Sequence, residues 1–220
     1  MGKLIVIEGL DGSGKTTQVE LLPKALEKKG LDSKTIAFPD YDDPSSTLVR
    51  MYLKGDFGKN ADDVNAYAAS LFYAVDRYAS FKRYWCEYYN NGGIVISGRY
   101  VTSNAYHQMS KLPENEWKQY LDWLYETEYE KTRIPKPDLV IFLDMPIDVS
   151  DKLMSGRYSG DESKKDIHER DKEYLRKCHK AAIFAAENSG WKIINCSENG
   201  NPRTIEEIHR DILDSVLEIL

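Results

Sequence analysis

Between a short apolar run, Leu4-Ile5-Val6-Ile7-Glu8, and a periodic segment opening at Lys15 lies Gly9-Leu10-Asp11-Gly12-Ser13-Gly14-Lys15-Thr16-Thr17. The spacing is GxxxxGK[ST], and it stands directly after a strand pattern and directly before a helix pattern, the context in which it has a physical meaning. Glycines let successive amides turn inward around an anion, and the helix N-terminus adds partial positive charge. A lysine at position 15 reaches the outer phosphates, and a hydroxyl at position 16 can ligate Mg²⁺. Gly9, Asp11, Gly12, Ser13, Gly14, Lys15, Thr16 and Thr17 are the expected cofactor-binding set for a nucleoside triphosphate, with Thr16 the expected metal ligand.

Outward from this loop, short β-branched runs alternate with longer 3.6-periodic segments, the pattern of a parallel sheet covered by crossover helices. Strands are expected at Leu4–Glu8, Lys34–Phe38, Ile94–Ser97, Leu139–Asp144 and Trp191–Cys196. Helices are expected at Lys15–Lys29, Asp62–Asn90, Glu114–Lys131, Ile147–Leu153, Ile167–Asn188 and Ile205–Leu220, the last opening with a capping-box spacing at Thr204 and Glu207. The fold class is therefore α/β, a P-loop NTPase fold with a five-stranded parallel sheet flanked by helices. No composition change divides the 220 residues, so one domain over 1–220 is expected.

With 30 basic against 36 acidic side chains the net charge is −6, so no global positive field exists to hold a nucleic-acid polymer or an anionic membrane. The longest run of the hydrophobic set, Ala181–Ala186, is far below the ~20 residues of a bilayer span. Met1-Gly2-Lys3 runs straight into a strand pattern without a leader-like core, and Cys86, Cys178 and Cys196 have no metal spacing. A cytoplasmic protein with reduced thiols is expected.

In an open parallel sheet ligands gather beyond the carboxyl ends of the strands. Those ends carry the phosphate loop, Phe38-Pro39-Asp40-Tyr41, Gly98-Arg99-Tyr100 and Asp144. In the long segment from Asp62, residues Val64, Tyr67, Ala68, Leu71, Val75, Tyr78 and Trp85 make the expected core stripe, while Ala66, Ser70, Tyr73 and Arg77 fall on another face. Tyr73 and Arg77, at i and i+4, suit stacking on a base and bonding its carbonyl edge; a surface cation-π pair is the competing reading. Ser155–Lys165 is polar, glycine-containing and charge-dense, suited to a mobile lid at about 154–170 or to a solvated loop. No Asn-Lys-x-Asp guanine reader occurs.

The ensemble resembles the thymidylate kinase family of P-loop nucleoside monophosphate kinases. The resemblance is carried by Ile7–Thr17, Phe38-Pro39, Leu71–Arg77, Arg99-Tyr100 with Ser103-Asn104, and Pro137–Asp144. It implies ATP-dependent, Mg²⁺-assisted phosphorylation of dTMP to dTDP by a homodimer. Lys15, Arg99 and Arg157 are then catalytic, with Lys164 and Lys165 as further lid cations. Asp11 meets the acceptor sugar, Tyr73 stacks on thymine and Arg77 meets its carbonyl edge. Arg99 holds the acceptor phosphate, Phe38, Pro39, Ser103 and Asn104 line the acceptor pocket, and Ser197–Arg203 receives adenine.

Two positions depart from the family pattern. Gly98 stands where an acid usually precedes Arg99, and Asp40-Tyr41 stands where a second acceptor-phosphate arginine is common. A phosphate-monoester acceptor has a second pKa near ~6 and is already anionic at neutral pH, so no general base is needed and a slow but active enzyme is expected. The alternatives are a deoxynucleoside kinase, needing Asp40 or Glu8 as base, and a nucleotide-binding protein with little catalysis. A Gly98 that requires positive φ is the structural alternative to lost catalytic chemistry.

Overall fold

The computed structural model describes residues 1–58, 60–157 and 172–220. Strands β1 (Lys3–Gly9), β2 (Ser33–Ala37), β3 (Ile94–Gly98), β4 (Leu139–Asp144) and β5 (Lys192–Asn195) form one sheet in the order β2-β3-β1-β4-β5. Every pairing in it is parallel, with Ile7 opposite Gly98 on one side and Ile141 on the other. The five expected strands are thus found, each within two residues of its expected bounds.

Central β1 is apolar on both faces because helices cover both. Ile5 and Ile7 pack with Leu22 of α1 (Lys15–Glu27), while Leu4 and Val6 belong to the opposite core with Trp85, Tyr100 and Phe142. The chain crosses from β1 to β2 at one flank and later fills β4 and β5 at the other, so the crevice beyond the carboxyl end of β1 is the topological switch point.

Two helices escape the sequence pattern: α2 (Thr47–Lys54) and α5 (Val101–His107). The helix expected over Asp62–Asn90 is broken. Asn65, with extended backbone, caps Ala68 N–H at 2.8 Å and starts α3 (Ala66–Ser80) four residues late. A π turn, Phe81–Trp85, then links α3 to α4 (Cys86–Asn90). Likewise Glu114–Lys131 resolves into a 3₁₀ turn, α6 (Trp117–Tyr125) and a π turn, Glu126–Lys131. The rest are α7 (Ile147–Arg157), α8 (Lys172–Ser189) and α9 (Ile205–Leu217). Thr204 and Glu207 form the expected capping box of α9, each side chain reaching the other's amide.

The core stripe expected on α3 is corrected. Val64 and Trp85 are buried and Tyr67 and Ala68 are half-buried, but Leu71, Val75 and Tyr78 are 46%, 52% and 44% exposed. The buried face is instead Ala66, Ala69, Ser70, Ala74, Asp76, Arg77 and Ser80. Small side chains let α3 approach its neighbours closely, and Arg77 is buried because a partner neutralises it. The lid residues Lys164 and Lys165 lie outside the described residues, as does the tract 154–170 apart from the backbone end of α7.

Candidate active site

The phosphate loop folds Gly9 to Gly14 against the start of α1. Gly14 caps the helix in the left-handed region, φ 84°, and offers no side chain to the free amides of the first turn. A Cβ on Gly9 would lie 2.4 Å from Ser13 Oγ, so only glycine fits there. Ser13 Oγ is itself buried and has no hydrogen-bond partner among the described residues. Uncapped amides, a serine hydroxyl able to donate and a lysine form a donor-rich set, which fits the phosphates of ATP. Thr16 is exposed on the first turn of α1, where its hydroxyl suits Mg²⁺, an ion otherwise held by phosphates and water.

Lys15 Nζ donates to Gly9 O at 2.9 Å across the loop. Burial, with the nearby Arg99 guanidinium as the second cause, brings its ammonium down to about 8. Arg99 sits at φ 83°, a left-handed conformation costly for a residue that carries a Cβ, and Ser97 Oγ donates to its carbonyl at 2.6 Å. This turn directs the guanidinium to Asp11, whose Oδ1 accepts from Nη2 at 2.7 Å. A residue of β3's end and one of the phosphate loop, 88 positions apart, are thereby joined.

One cavity beside this pair gathers Phe38, Pro39, Tyr73, Arg77, Arg99, Ser103 and Asn104, all expected substrate residues. Asp11 meets it through Arg99. Tyr41, Tyr52, Leu53, Tyr100, His107, Gln108 and Tyr174 complete the lining. Tyr73 stands edge-on to Tyr52, ring centres 6.4 Å apart. Arg77 is not a surface cation-π partner. It is 2% exposed and forms a two-point ion pair with Glu128, itself 1% exposed, through Nε at 2.7 Å and through Nη2. Burial pushes the Glu128 carboxyl above its ordinary value against the pull of Arg77. Nη1 is turned to the Tyr100 carbonyl at 3.5 Å.

Ser103 is committed elsewhere: its hydroxyl bonds both oxygens of Glu8 at 2.9 Å. Glu8 also accepts from Tyr100 N–H, Thr102 Oγ1 and Tyr106 Oη at 3.1, 2.6 and 2.7 Å. A carboxylate so saturated and fully buried orders the start of α5 and is not a free base. Asp40, the other candidate base, gives its amide to Asp76 at 3.1 Å.

A second cavity lies on the opposite side of the loop, lined by Gly12, Ser13, Gly14, Thr17, Gln18, Met145, Leu153, Pro202, Arg203, Thr204, Ile205 and Ile208. It brings the end of the expected adenine segment, Pro202 and Arg203, onto the phosphate loop. A short antiparallel pair, Ser197–Glu198 with Asn201–Pro202, shapes that segment.

The model of the family described as thymidylate kinase matches residues 7–212 of this chain. The chain belongs to the thymidylate kinase family. Among relatives, the thymidylate kinase of Mycobacterium tuberculosis is 32% identical over 193 residues, 86% of this chain and 87% of its own length. A probable thymidylate kinase of Thermococcus gammatolerans is 32% identical over 220 residues, 98% and 96% of the two lengths. The fold is that of a solved thymidylate kinase from Candida albicans, with a TM-score of 0.71, 23% identity and coverage of 99% of this chain and 92% of that one. As a thymidylate kinase family member the chain is a phosphotransferase of the nucleoside monophosphate kinase class. The family reaction is phosphorylation of dTMP, as the sequence reading holds, and neither the deoxynucleoside kinase nor the non-catalytic alternative is favoured.

Glu128, His107, Tyr52, Gln108 and Tyr174 were missed by the sequence reading. A helix assigned over Val101–His107 places Asn104 and His107 at i and i+3 on one face, a signal that points to His107. Glu128 and Tyr174 come from distant elements and carry no local signal.

Proposed function

We propose that the chain moves the γ-phosphoryl of ATP to the 5′-phosphate of dTMP across the boundary between the two cavities, acting as one kinase domain over 1–220 with a lid at about 154–170. The observation that carries this reading is Arg99: it lines the first cavity and holds Asp11 of the phosphate loop, whose glycines line the second. Acceptor and donor phosphates brought to these cavities meet between Arg99 and Lys15. Both cations stabilise charge that spreads over the transferring oxygens, so the chain's contribution is positioning and electrostatics. The acceptor oxygen is anionic at neutral pH, which suits a site whose buried carboxylate, Glu8, is already saturated. ATP would be held by Lys15 and the amides of Gly12 to Thr17, and Mg²⁺ by Thr16; the metal's chemistry is to neutralise phosphate charge.

At the far end of the first cavity Tyr73 stacks on thymine, Arg77 Nη1 and Asn104 meet its polar edge, and Phe38 and Pro39 close the side. Arg157, Lys164 and Lys165 supply lid cations. Gly98 removes the acid that would directly precede Arg99 in the chain, leaving Asp11 as its carboxylate partner, and turnover is correspondingly slow. The chain pairs as a homodimer, with the exposed stripe Leu71, Val75 and Tyr78 facing a second copy. Three free thiols suit a reducing, cytoplasmic location.

The test is ADP formation from Mg·ATP with dTMP, with thymidine and with no acceptor. Transfer to dTMP alone is expected; transfer to thymidine, or ADP release independent of any acceptor, contradicts the reading.

A further inference from the structure

Arg99 has a second anchor besides Asp11. Its Nη1 lies 3.0 Å from His107 Nε2 and donates to Tyr106 Oη at 3.3 Å. A guanidinium carries only donors, so the short contact at His107 requires a lone pair on Nε2. The imidazole is then neutral, with its proton on Nδ1. That nitrogen faces Tyr174 Oη at 3.2 Å and Cys178 Sγ at 3.8 Å, both from α8. The His107 ring lies with its centre 4.4 Å from the tilted Tyr106 ring and 6.4 Å from the nearly parallel Tyr174 ring.

We propose that His107 is a positioning residue for Arg99: as a neutral imidazole with the proton on Nδ1 it aims the guanidinium at the acceptor phosphate and ties the first turn of α8 to that aim. This rests on the proposed dTMP site. Protonation of His107 puts an N–H where Arg99 needs an acceptor and a positive charge against the guanidinium, so Arg99 loses one of its three side-chain partners and keeps Asp11 and Tyr106. Among the described residues, the charged and titratable groups that meet the ring include Arg99 from the end of β3, Tyr106 on its own helix, and Tyr174 and Cys178 from α8. Beyond them stand Asp11, held by Arg99, and Glu8, held by Tyr106. Each carboxylate is engaged with one of these partners, and the donor that faces Nε2 at 3.0 Å is Arg99, which sets the lone pair there. Ser110 completes the frame, its hydroxyl donating to His107 O at 3.1 Å and lying 3.4 Å from Cys178 Sγ. Through this frame the site extends from β3 and α5 to the helix that follows residues 158–171.

The first test needs no turnover. Long-range nitrogen–proton NMR spectra of the ¹⁵N-labelled chain, with His107→Gln identifying the signal, report the ring's tautomer. The proton is expected on Nδ1 at neutral pH, whereas an Nε2–H tautomer or an imidazolium at neutral pH overturns the proposal. The second test is the pH profile of the KM for dTMP. His107→Phe, which removes the acceptor, should raise that KM about tenfold with the KM for ATP little changed, the scale of one hydrogen bond to a charged group. His107→Gln, which restores an acceptor that cannot titrate, should recover part of the loss. It should also remove the rise in KM that the wild type shows as pH falls through the imidazole range. Titration of dTMP's own phosphate is common to all variants, so only the difference between profiles counts. Equal profiles for wild type and His107→Gln overturn the proposal. If no variant or wild type turns over dTMP, the substrate reading fails while the tautomer result still stands.

Discussion

Glu128→Ala removes the counter-charge of a buried arginine. Arg77 and Glu128 are 2% and 1% exposed, and two of the guanidinium's three nitrogens are committed to the carboxylate. Stripping one partner from a buried pair leaves an uncompensated charge and costs about 3–5 kcal/mol. In a chain of this size each kcal/mol moves the melting point by about 2–4 °C, so a drop of roughly 6–20 °C is expected. Replacing both partners by apolar residues, Arg77→Met with Glu128→Leu, should restore stability to within about 1 kcal/mol, because a well-packed apolar pair avoids the desolvation penalty. It should not restore dTMP affinity, because Nη1 of Arg77 is then gone from the cavity. Thermal melts and calorimetric titrations of dTMP and ATP on the three proteins separate the roles. A Glu128→Ala chain that melts within about 1 kcal/mol of wild type would refute the electrostatic reasoning. A double variant that binds dTMP as wild type does would refute the assignment of Arg77 to the base.

Three further outcomes follow from the same geometry. Burial and Arg99 bring the Lys15 ammonium down to about 8, and a bound phosphate favours its charged form; ATP affinity should therefore fall as pH rises through and above 8, with proton uptake on binding in that window, measured by titration in buffers of different ionisation enthalpy. Gly98 is not in the left-handed region, and a Cβ there would meet Val19 Cγ2 at 3.0 Å. Gly98→Ala should then cost only about 1 kcal/mol, the low end of overpacking, and Gly98→Asp should raise kcat about tenfold; an aspartate variant that is stable yet no faster defeats the catalytic role. Leu71→Glu should reduce the sedimenting mass from two chains to one, and an unchanged mass removes the α3 stripe from the interface.

The sheet was legible because β-branched runs bounded by turn residues have few other uses, and the phosphate loop because its chemistry is local. Leu71, Val75 and Tyr78 show where that logic stops. Periodicity reports which face of a helix is apolar and not what covers it, so an apolar face directed outward reads as core. α2 and α5, of eight and seven residues, are too short for a periodic signal to rise above the turns around them. At position 98 the alternative reading, a requirement for positive φ, does not hold, and the left-handed residue is the neighbouring Arg99, whose backbone strain no residue preference announces. Seven of the expected acceptor residues do line one cavity, because strand ends and the α3 face converge at the switch point. What holds them in place was not legible: Glu128 lies 51 positions from Arg77, and Asp11 lies 88 from Arg99. Pairings at such separations are products of the finished fold.

The division of the site into a base cavity at Tyr73 and a phosphate loop at Lys15 is tested most directly by titrating dTMP and ATP separately into wild-type protein and Tyr73→Ala. Loss of one stacking ring should weaken dTMP by about 1–3 kcal/mol and leave ATP affinity unchanged. Equal weakening of both nucleotides, or unchanged dTMP affinity in a folded variant, would contradict the account.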